Sequence, residues 1–308
     1  MNIIDKEFNE LTSVIKNKSL EEVFNDIKDA FFKIPLETQK SLEDYYANFG
    51  YWGKLKRSDE EYEELYNRAK SLKEHIDDYV FIYNKLSDYR SKKLLYAILS
   101  NWYRFDFVTI ASSLEKNYAQ YLDLDILKPS SDEVIVDLGA YTGDTMLNYI
   151  NTFGEDCYKK IYCYEITKET FENLKGNLRK YENIEFVNKA ASDHEGVLYI
   201  NENETGASAN TIEETGDKEV IATTIDNDIK NQVTLIKMDI EGSEQKALKG
   251  CEKHIKNEHP KLLISVYHNH EDLYKIPLMI NDMDPSYKFY LRCYGSIIFP
   301  TEIVLFAI

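Results

Sequence analysis

Hydrophobic positions divide this sequence into two regions with different periods. In residues 1–125, apolar side chains recur three and four positions apart, the spacing that forms one face of a helix. The clearest set is Leu20, Val23, Phe24, Ile27, Ala30 and Phe31. Ser58, with Glu61 three residues later, resembles a capping box and predicts that another helix starts there. We therefore expect an all-helical N-terminal domain over residues 1–125.

Beyond Pro129 the pattern changes, because short apolar runs begin to alternate with amphipathic segments. The apolar runs cover residues 134–136, 161–164, 184–187, 233–236 and 262–266. Helical patterns follow most of them, over residues 144–153, 168–180, 243–256 and 271–283. An alternation of this kind predicts parallel strands with helices packed against the sheet. Residues 126–308 are therefore predicted to form an α/β domain with a five-stranded parallel sheet.

The last two apolar runs, residues 288–294 and 302–307, are separated by a short segment. A parallel crossover needs a dozen or more residues, so these runs are predicted to form an antiparallel pair that closes a Rossmann-like sheet. The segment 195–224 interrupts the alternation, with strand-like runs on either side of a polar stretch. That stretch is interpreted either as a surface loop or as a substrate loop near the sheet.

The strongest motif runs from the first strand of this region into the following helix. It reads Asp137, Leu138, Gly139, Ala140, Tyr141, Thr142, Gly143, Asp144 and Thr145. Gly139 lets backbone pass close to a ligand, and Gly143 permits tight packing between strand and helix. The pattern differs from the G-x-G-x-x-G of dinucleotide sites, which brings glycines up to a pyrophosphate. S-adenosylmethionine is a cofactor without a phosphate, so it suits this pattern better than a dinucleotide does. Asp137 is predicted to act, directly or through water, near the amino-acid end of that cofactor.

Glu165 follows the second strand and is expected at the carboxyl edge of the sheet. An acidic residue at this position can accept hydrogen bonds from both hydroxyls of a ribose. The alternative is a solvated surface glutamate. We favour the ribose role, and the adjacent Ile166 is included in the same predicted cofactor site.

A third cluster, Asp239, Glu241 and Glu244, lies where the fourth strand ends and a helix begins. The carboxyl ends of central strands line the ligand crevice in open α/β sheets. We expect Asp239 and Glu241 to act in the site, and Asp239 also to bind cofactor. The structural alternative is that Asp239 caps the helix and that Glu241 and Glu244 pair with its dipole, and for Glu244 the two interpretations are equal.

Two histidines follow the fifth strand, His268 and His270. A histidine at this edge can take a proton from a hydroxyl at neutral pH, so His268 is a candidate catalytic base together with Asp239 and Glu241. A divalent metal held by these side chains and His270 is a second interpretation that we do not expect.

Charge and composition limit the kinds of molecule and the cellular location that we expect for this protein. The net charge of −17 disfavours nucleic acid, because phosphate neutralisation needs a basic face. No apolar run approaches the roughly 20 residues of a membrane span, and the start of the chain lacks the features of a secretory signal. The four scattered cysteines are typical of reduced thiols, so we expect a cytoplasmic protein.

The phrases VDLGAYTGDT and IKMDIEGSEQKALKG together resemble the FkbM family of methyltransferases. The resemblance covers about residues 132 to 308. Further segments share it: the strand reaching Tyr267 and His268, the closing residues 302–307, and residues 190–193 with Gly196. In that family the last segment lies where adenine is expected, which adds Ala191 and Ser192 to the predicted cofactor site.

The resemblance implies transfer of a methyl group from S-adenosyl-L-methionine to an oxygen of a sugar, glycan or related small molecule. It leaves the acceptor and the general base open. It says little about residues 1–125, whose helices are interpreted as an acceptor lid or a homodimer interface. Two alternatives are a non-catalytic interaction protein that retains the fold and a nicotinamide-dependent oxidoreductase, which the glycine pattern and the closing strand pair disfavour.

Overall fold

The structure is a computed structural model that describes residues 1–49, 52–201, 211–213 and 218–308. The chain forms two compact units, each assembled from separate stretches of sequence. The first unit contains residues 1–116, 266–279 and 288–305. The second contains residues 117–265, 280–287 and 306–308. The predicted boundary after residue 125 between two contiguous domains stays a prediction.

The first unit is built mainly from helices. They are α1 (Ile3–Lys16), α2 (Leu20–Lys33), α3 (Leu36–Asn48), α4 (Glu63–Glu74), α5 (Ile76–Lys85), α6 (Tyr89–Arg104) and α7 (Phe107–Ala111). The predicted helical face of α2 is buried at Val23, Ile27 and Phe31. Capping boxes begin α1 at Asn2 and α2 at Ser19. Each satisfies amide donors that have no partner within the helix.

The prediction that a helix starts at Ser58 is wrong. Two short antiparallel strands, β1 (Leu55–Lys56) and β2 (Glu61–Tyr62), flank a 3-10 turn there, and α4 begins only at Glu63. The Ser58 hydroxyl donates to Asp59. Arg57 donates from its backbone amide and its guanidinium to Glu43. The Arg57 amide is therefore bonded to a side chain of α3 and not to a carbonyl within an α-helix.

The central sheet has seven strands. They are β3 (Val134–Leu138), β4 (Lys160–Tyr164), β5 (Ile184–Val187), β10 (Leu235–Met238), β11 (Lys261–Ser265), β12 (Phe289–Cys293) and β13 (Ile303–Ala307). Their order is β12-β13-β11-β10-β3-β4-β5. The five strands from β11 to β5 pair in parallel, which confirms the predicted parallel sheet. Strands β12 and β13 are neighbours at one edge, and their antiparallel sense stays a prediction.

A smaller four-stranded sheet accounts for the interrupted alternation. It consists of β6 (Ala190–Ala191), β7 (Gly196–Asn201), β8 (Thr211–Glu213) and β9 (Lys218–Thr223), in the order β6-β9-β7-β8. Strand β7 runs antiparallel to β8 and β9. Most of the polar stretch interpreted as a loop, residues 202–210 and 214–217, lies outside the described residues.

The predicted helices of the second region are present, one of them divided in two, and a short helix, Ile225–Asp228, was not predicted. The helices are α8 (Asp144–Phe153), α9 (Lys168–Leu178), α10 (Ile225–Asp228), α11 (Glu244–Gly250), α12 (Glu252–Glu258) and α13 (Asp272–Met283). The single helix expected over 243–256 is divided at Cys251 into α11 and α12. Gly250 packs so tightly that a Cβ there would lie 2.0 Å from the Ser192 carbonyl oxygen, which fixes the end of α11.

Hydrogen bonds explain why late segments of the chain belong to the first unit. The Ser87 amide donates to the Phe289 carbonyl at 2.9 Å, and the Arg292 guanidinium pairs with Asp88 at 2.7 Å. The Glu115 amide donates to the Cys293 carbonyl at 2.7 Å. Strand β12 is therefore bonded to residues that lie about 180–200 positions earlier in the sequence.

No helix among the described residues combines the length and the apolar character needed to span a bilayer. All four cysteines are free thiols.

Candidate active site

The turn that follows β3 is held by backbone geometry that requires glycine. Gly139 has φ +76°, and a Cβ there would lie 1.9 Å from the Asp239 carbonyl oxygen. Gly143 has φ +85° and packs against Leu174 and Leu178 of α9. The Gly139 and Ala140 amides both donate to the Tyr164 carbonyl, at 3.1 and 2.9 Å. The turn is thus fixed between the ends of its two neighbouring strands, β4 and β10.

Other residues of the predicted motif complete this turn. Tyr141 adopts φ +48° and exposes 44% of its surface. The Thr142 carbonyl accepts a hydrogen bond from Asn177 at 2.9 Å. Thr145 lies in the first turn of α8, half-buried, and Ala140 is buried. The motif therefore presents an exposed aromatic ring beside a rigid backbone.

Glu165 lies immediately after β4 and faces the same turn. Its two carboxylate oxygens accept hydrogen bonds from the Tyr141 amide at 3.0 Å and the Thr167 amide at 2.7 Å. Burial raises the pKa of Glu165 above its usual value, while these amide donors oppose the shift. The alternative of a solvated surface glutamate is wrong, because Glu165 is 8% exposed.

Asp137 and Lys237 form a buried ion pair between neighbouring strands. They are direct partners in the register of β3 and β10, and the Lys237 Nζ lies 3.0 Å from Asp137 Oδ1. Lys237 also donates to the Gly139 carbonyl at 2.7 Å. Burial lowers the pKa of Lys237, but the carboxylates of Asp137 and Asp239 outweigh it and raise the pKa overall. Lys237 therefore carries a positive charge directly beneath the glycine turn.

The sequence gives one usable signal for Lys237, to which no role was assigned. It is a charged residue inside the apolar run of a buried central strand. Buried charges in such positions are normally paired, so its partner could have been sought on the adjacent strand.

The segment after β10 bends sharply through two residues with positive φ. Glu241 has φ +54° and Gly242 has φ +94°. The Asp239 amide donates to the Leu138 carbonyl at 3.0 Å, which places Asp239 beside the glycine turn. Glu244 is fully buried, and its Oε1 accepts the Ile240 amide at 2.8 Å. Glu244 is the first residue of α11, so it lies in the helix turn where a carboxylate pairs with the dipole.

Tyr121, a residue that the sequence analysis missed, contacts Asp239. The Tyr121 hydroxyl donates to Asp239 Oδ2 at 2.7 Å and lies 2.9 Å from Ser265 Oγ. Its ring lies beside the Lys237 ammonium, at 5.4 Å from ring centroid to Nζ. No motif marks Tyr121, because the contact depends on the path of a loop whose backbone turns at that residue with φ +66°.

The predicted adenine region lies where β6 meets β9. Ala191 is the register partner of Thr223, and the buried Ser192 donates its amide to the Thr223 carbonyl at 2.9 Å. Ile166 packs on an apolar cluster formed by Ala190, Leu198, Val220 and Ala222. Ile166, which directly follows Glu165, therefore packs on a buried apolar cluster of the same unit.

The two candidate histidines belong to the first unit. His268 is buried and its ring centroid lies 4.3 Å from that of Tyr267. His270 is engaged within that unit: its Nε2 lies 3.3 Å from Glu64 Oε1, and its ring makes an edge contact with Trp102. This contact gives the His270 imidazole a structural partner.

Comparison with known proteins supports the interpretation of the second region. Residues 137–289 match the model of the methyltransferase FkbM domain. The structure resembles the methyltransferase FkbM from Methylobacillus flagellatus KT, with a TM-score of 0.66 and 24% identity. The match covers 79% of this chain and 62% of that protein, so this chain spans less than two thirds of its length.

A weaker likeness is to Aeropyrum pernix fibrillarin with natively bound S-adenosyl-L-methionine. It has a TM-score of 0.38 and 12% identity, over 58% of this chain and 67% of that one. No curated protein matches the chain. The matched domain begins at Asp137 of the glycine turn and includes the Asp239–Glu241 segment, and the fold is that of the Methylobacillus protein. This chain therefore carries a methyltransferase FkbM domain over residues 137–289.

Proposed function

We propose that this protein transfers a methyl group from S-adenosyl-L-methionine to a hydroxyl of a sugar, glycan or related small molecule. The observation that carries the proposal is the rigid turn at Gly139, locked between the Asp239 carbonyl and the Glu165 carboxylate. It combines a close backbone approach with a buried carboxylate at the ends of adjacent parallel strands. Such strand ends are where open α/β sheets bind ligands.

Glu165 is suited to the ribose of the cofactor. An ionised carboxylate has about four acceptor positions. The amides of Tyr141 and Thr167 use two of them and fix the orientation of the group. The Thr167 hydroxyl also bonds to this carboxylate, so it is proposed to rotate away when both ribose hydroxyls bind. Ile166, Ala191 and Ser192 are proposed to contact the adenine.

Asp137 is proposed to act at the amino-acid end together with the backbone of residues 139–145. Because Asp137 is fully buried and paired with Lys237, a water molecule or the turn itself would carry its effect to the ligand. Its first contribution is to hold Lys237 under the Gly139 carbonyl. The amides of Gly139, Ala140 and Tyr141 already donate within the protein, so this turn is not arranged to hold a pyrophosphate.

Bound S-adenosyl-L-methionine supplies an activated methyl group on a sulfonium. The protein has to align the acceptor oxygen with that methyl and remove the hydroxyl proton. Asp239, Glu241 and His268 are proposed as the groups that accept this proton or orient the hydroxyl. The cytoplasmic location, the lid or dimer role of the N-terminal helices and the expectation that no divalent metal is used stay proposals.

Calorimetry with S-adenosylhomocysteine tests cofactor binding, and methyl transfer to a panel of mono- and oligosaccharides tests turnover. Gly139→Ala should abolish measurable binding, because its Cβ collides with backbone. Gly154→Ala is the matched control: Gly154 also has positive φ, +94°, but a Cβ there has nothing within 4 Å. Wild-type protein without affinity for S-adenosylhomocysteine would refute the proposal. Binding without transfer to any hydroxyl would favour the non-catalytic alternative.

A further inference from the structure

Tyr121 lies before the matched domain, yet it contacts the central residues of the candidate site. It belongs to the same compact unit as the glycine turn. The side chain is 3% exposed, and the backbone adopts φ +66°. A left-handed conformation is unfavourable for a bulky residue and persists where the surroundings impose it. The fold therefore holds this tyrosine in place at a cost in conformational energy.

The hydrogen bonds of the Tyr121 hydroxyl have a definite direction. Its one proton goes to Asp239 Oδ2 at 2.7 Å, because an ionised carboxylate can only accept. The Ser265 hydroxyl, 2.9 Å away, must then donate to the Tyr121 oxygen. Gln120 donates to the same oxygen at 3.3 Å. The result is a relay of hydrogen bonds from Ser265, at the end of β11, through Tyr121 to Asp239, after β10.

The ring of Tyr121 adds a second link. It lies within cation–π distance of the Lys237 ammonium, which donates to the Gly139 carbonyl. The Tyr121 side chain therefore contacts both the Lys237 cation under the glycine turn and the Asp239 carboxylate at the end of the same strand. Replacing the hydroxyl alone separates these two contributions, since phenylalanine keeps the ring.

From this geometry we infer that Tyr121 is a positioning residue that fixes the Asp239 carboxylate for cofactor binding. The inference rests on the proposed function. It extends the working site beyond the matched domain to a residue that precedes it. Tyr121 acts through Asp239, so its effect depends on that carboxylate being present.

The test is a double-mutant cycle on S-adenosylhomocysteine affinity, measured by calorimetry on the full chain. Tyr121→Phe and Asp239→Asn should each weaken binding by about three- to tenfold, and the double variant should be no weaker than Asp239→Asn alone. Sites that act through one another are non-additive in this way, whereas independent sites multiply their effects. Ser265→Ala, which removes one donor to the Tyr121 hydroxyl, should weaken binding about twofold.

Tyr149→Phe is the matched control. Tyr149 is equally buried in the same unit, but its hydroxyl donates to the Cys157 carbonyl at 2.9 Å. Loss of this hydroxyl should lower thermal stability and leave the affinity unchanged.

Wild-type affinity in Tyr121→Phe, unchanged affinity in Asp239→Asn, or multiplied effects in the double variant would each overturn the inference while the proposed function stands. Absence of affinity in the wild type would remove both. Should Tyr121→Phe fail to fold, the Ser265→Ala measurement with its own Asp239→Asn cycle decides.

Discussion

Two buried ion pairs, one in each unit, look alike in composition and differ in their surroundings. Glu64 and Arg68 are four residues apart on α4 and are both fully buried. Arg68 donates to the Tyr46 hydroxyl at 2.7 Å, and His270 lies beside Glu64. The partners of this pair are therefore side chains of its own unit.

The pair of Asp137 and Lys237 is arranged differently. It joins two strands, and its cation donates to the backbone of the glycine turn. Its neighbours are Tyr121 and Asp239, both parts of the candidate site. A buried pair is by itself weak evidence for either stability or function. What distinguishes these two pairs is whether the surrounding groups belong to the core or to the proposed cofactor site.

Lys237→Met should have the largest effect, because it lowers both the stability of the fold and the affinity for S-adenosylhomocysteine. It leaves Asp137 buried without its cation, which costs about 3–5 kcal/mol in the free energy of unfolding. It also removes the support of the Gly139 carbonyl, so S-adenosylhomocysteine affinity should fall at least about tenfold. Urea unfolding and calorimetry measure the two effects. Unchanged affinity would show that the pair is structural, like the one on α4.

Arg68→Met should match that variant in stability and differ in binding. It leaves Glu64 buried without the Arg68 cation, so the free energy of unfolding should again fall by about 3–5 kcal/mol. The affinity for S-adenosylhomocysteine should stay within about twofold of the wild type at a temperature where the variant is folded. A tenfold loss of affinity would abolish the distinction between the two pairs.

Glu165→Gln should weaken S-adenosylhomocysteine binding by about tenfold and lower the free energy of unfolding by about 1–3 kcal/mol, because the new NH2 group faces the amide of Tyr141 or Thr167. Hydrogen bonds to a charged group are worth about 1.5–3 kcal/mol, and the amide replaces one acceptor by a donor. Glu258→Gln is the matched control, since Glu258 also accepts a backbone amide, that of Val233 at 2.7 Å. Equal losses in both variants would contradict the ribose role of Glu165.

A pH titration should give the smallest effect. Burial raises the pKa of Glu165, so the folded protein binds a proton there at a higher pH than the unfolded chain does. The contribution of this group to stability is therefore full below the unfolded pKa and is lost as pH rises through the folded pKa. Ligand affinity should change in the opposite sense and fall as acidification neutralises the carboxylate. Calorimetry at several pH values should show this dependence in the wild type and not in Glu165→Gln.

The sequence predicted those parts of the fold that depend on local pattern. The apolar runs located the five parallel strands, and the spacing of Asp137, Gly139 and Glu165 marked residues that lie around one turn. Both succeed because the ends of adjacent parallel strands meet at one edge of a sheet.

Other features depend on contacts that no local pattern encodes. Ser58 has the sequence of a helix cap, but the fixed position of Arg57 on Glu43 produces a pair of short strands instead. The division between α11 and α12 follows from the packing of Gly250 on Ser192, which is distant in sequence. Tyr121 escaped notice for the same reason, since its role depends on where a loop passes.

The discontinuous first unit has a consequence for the order in which the protein folds during synthesis. Helices α1 to α7 leave the ribosome well before residues 266–279 and 288–305 of the same unit. Until those residues emerge, Asp88 lacks Arg292, and the Ser87 amide lacks the Phe289 carbonyl. Nascent chains stalled before residue 266 should therefore hold a protease-sensitive helical unit, which becomes resistant only after residue 305 has emerged.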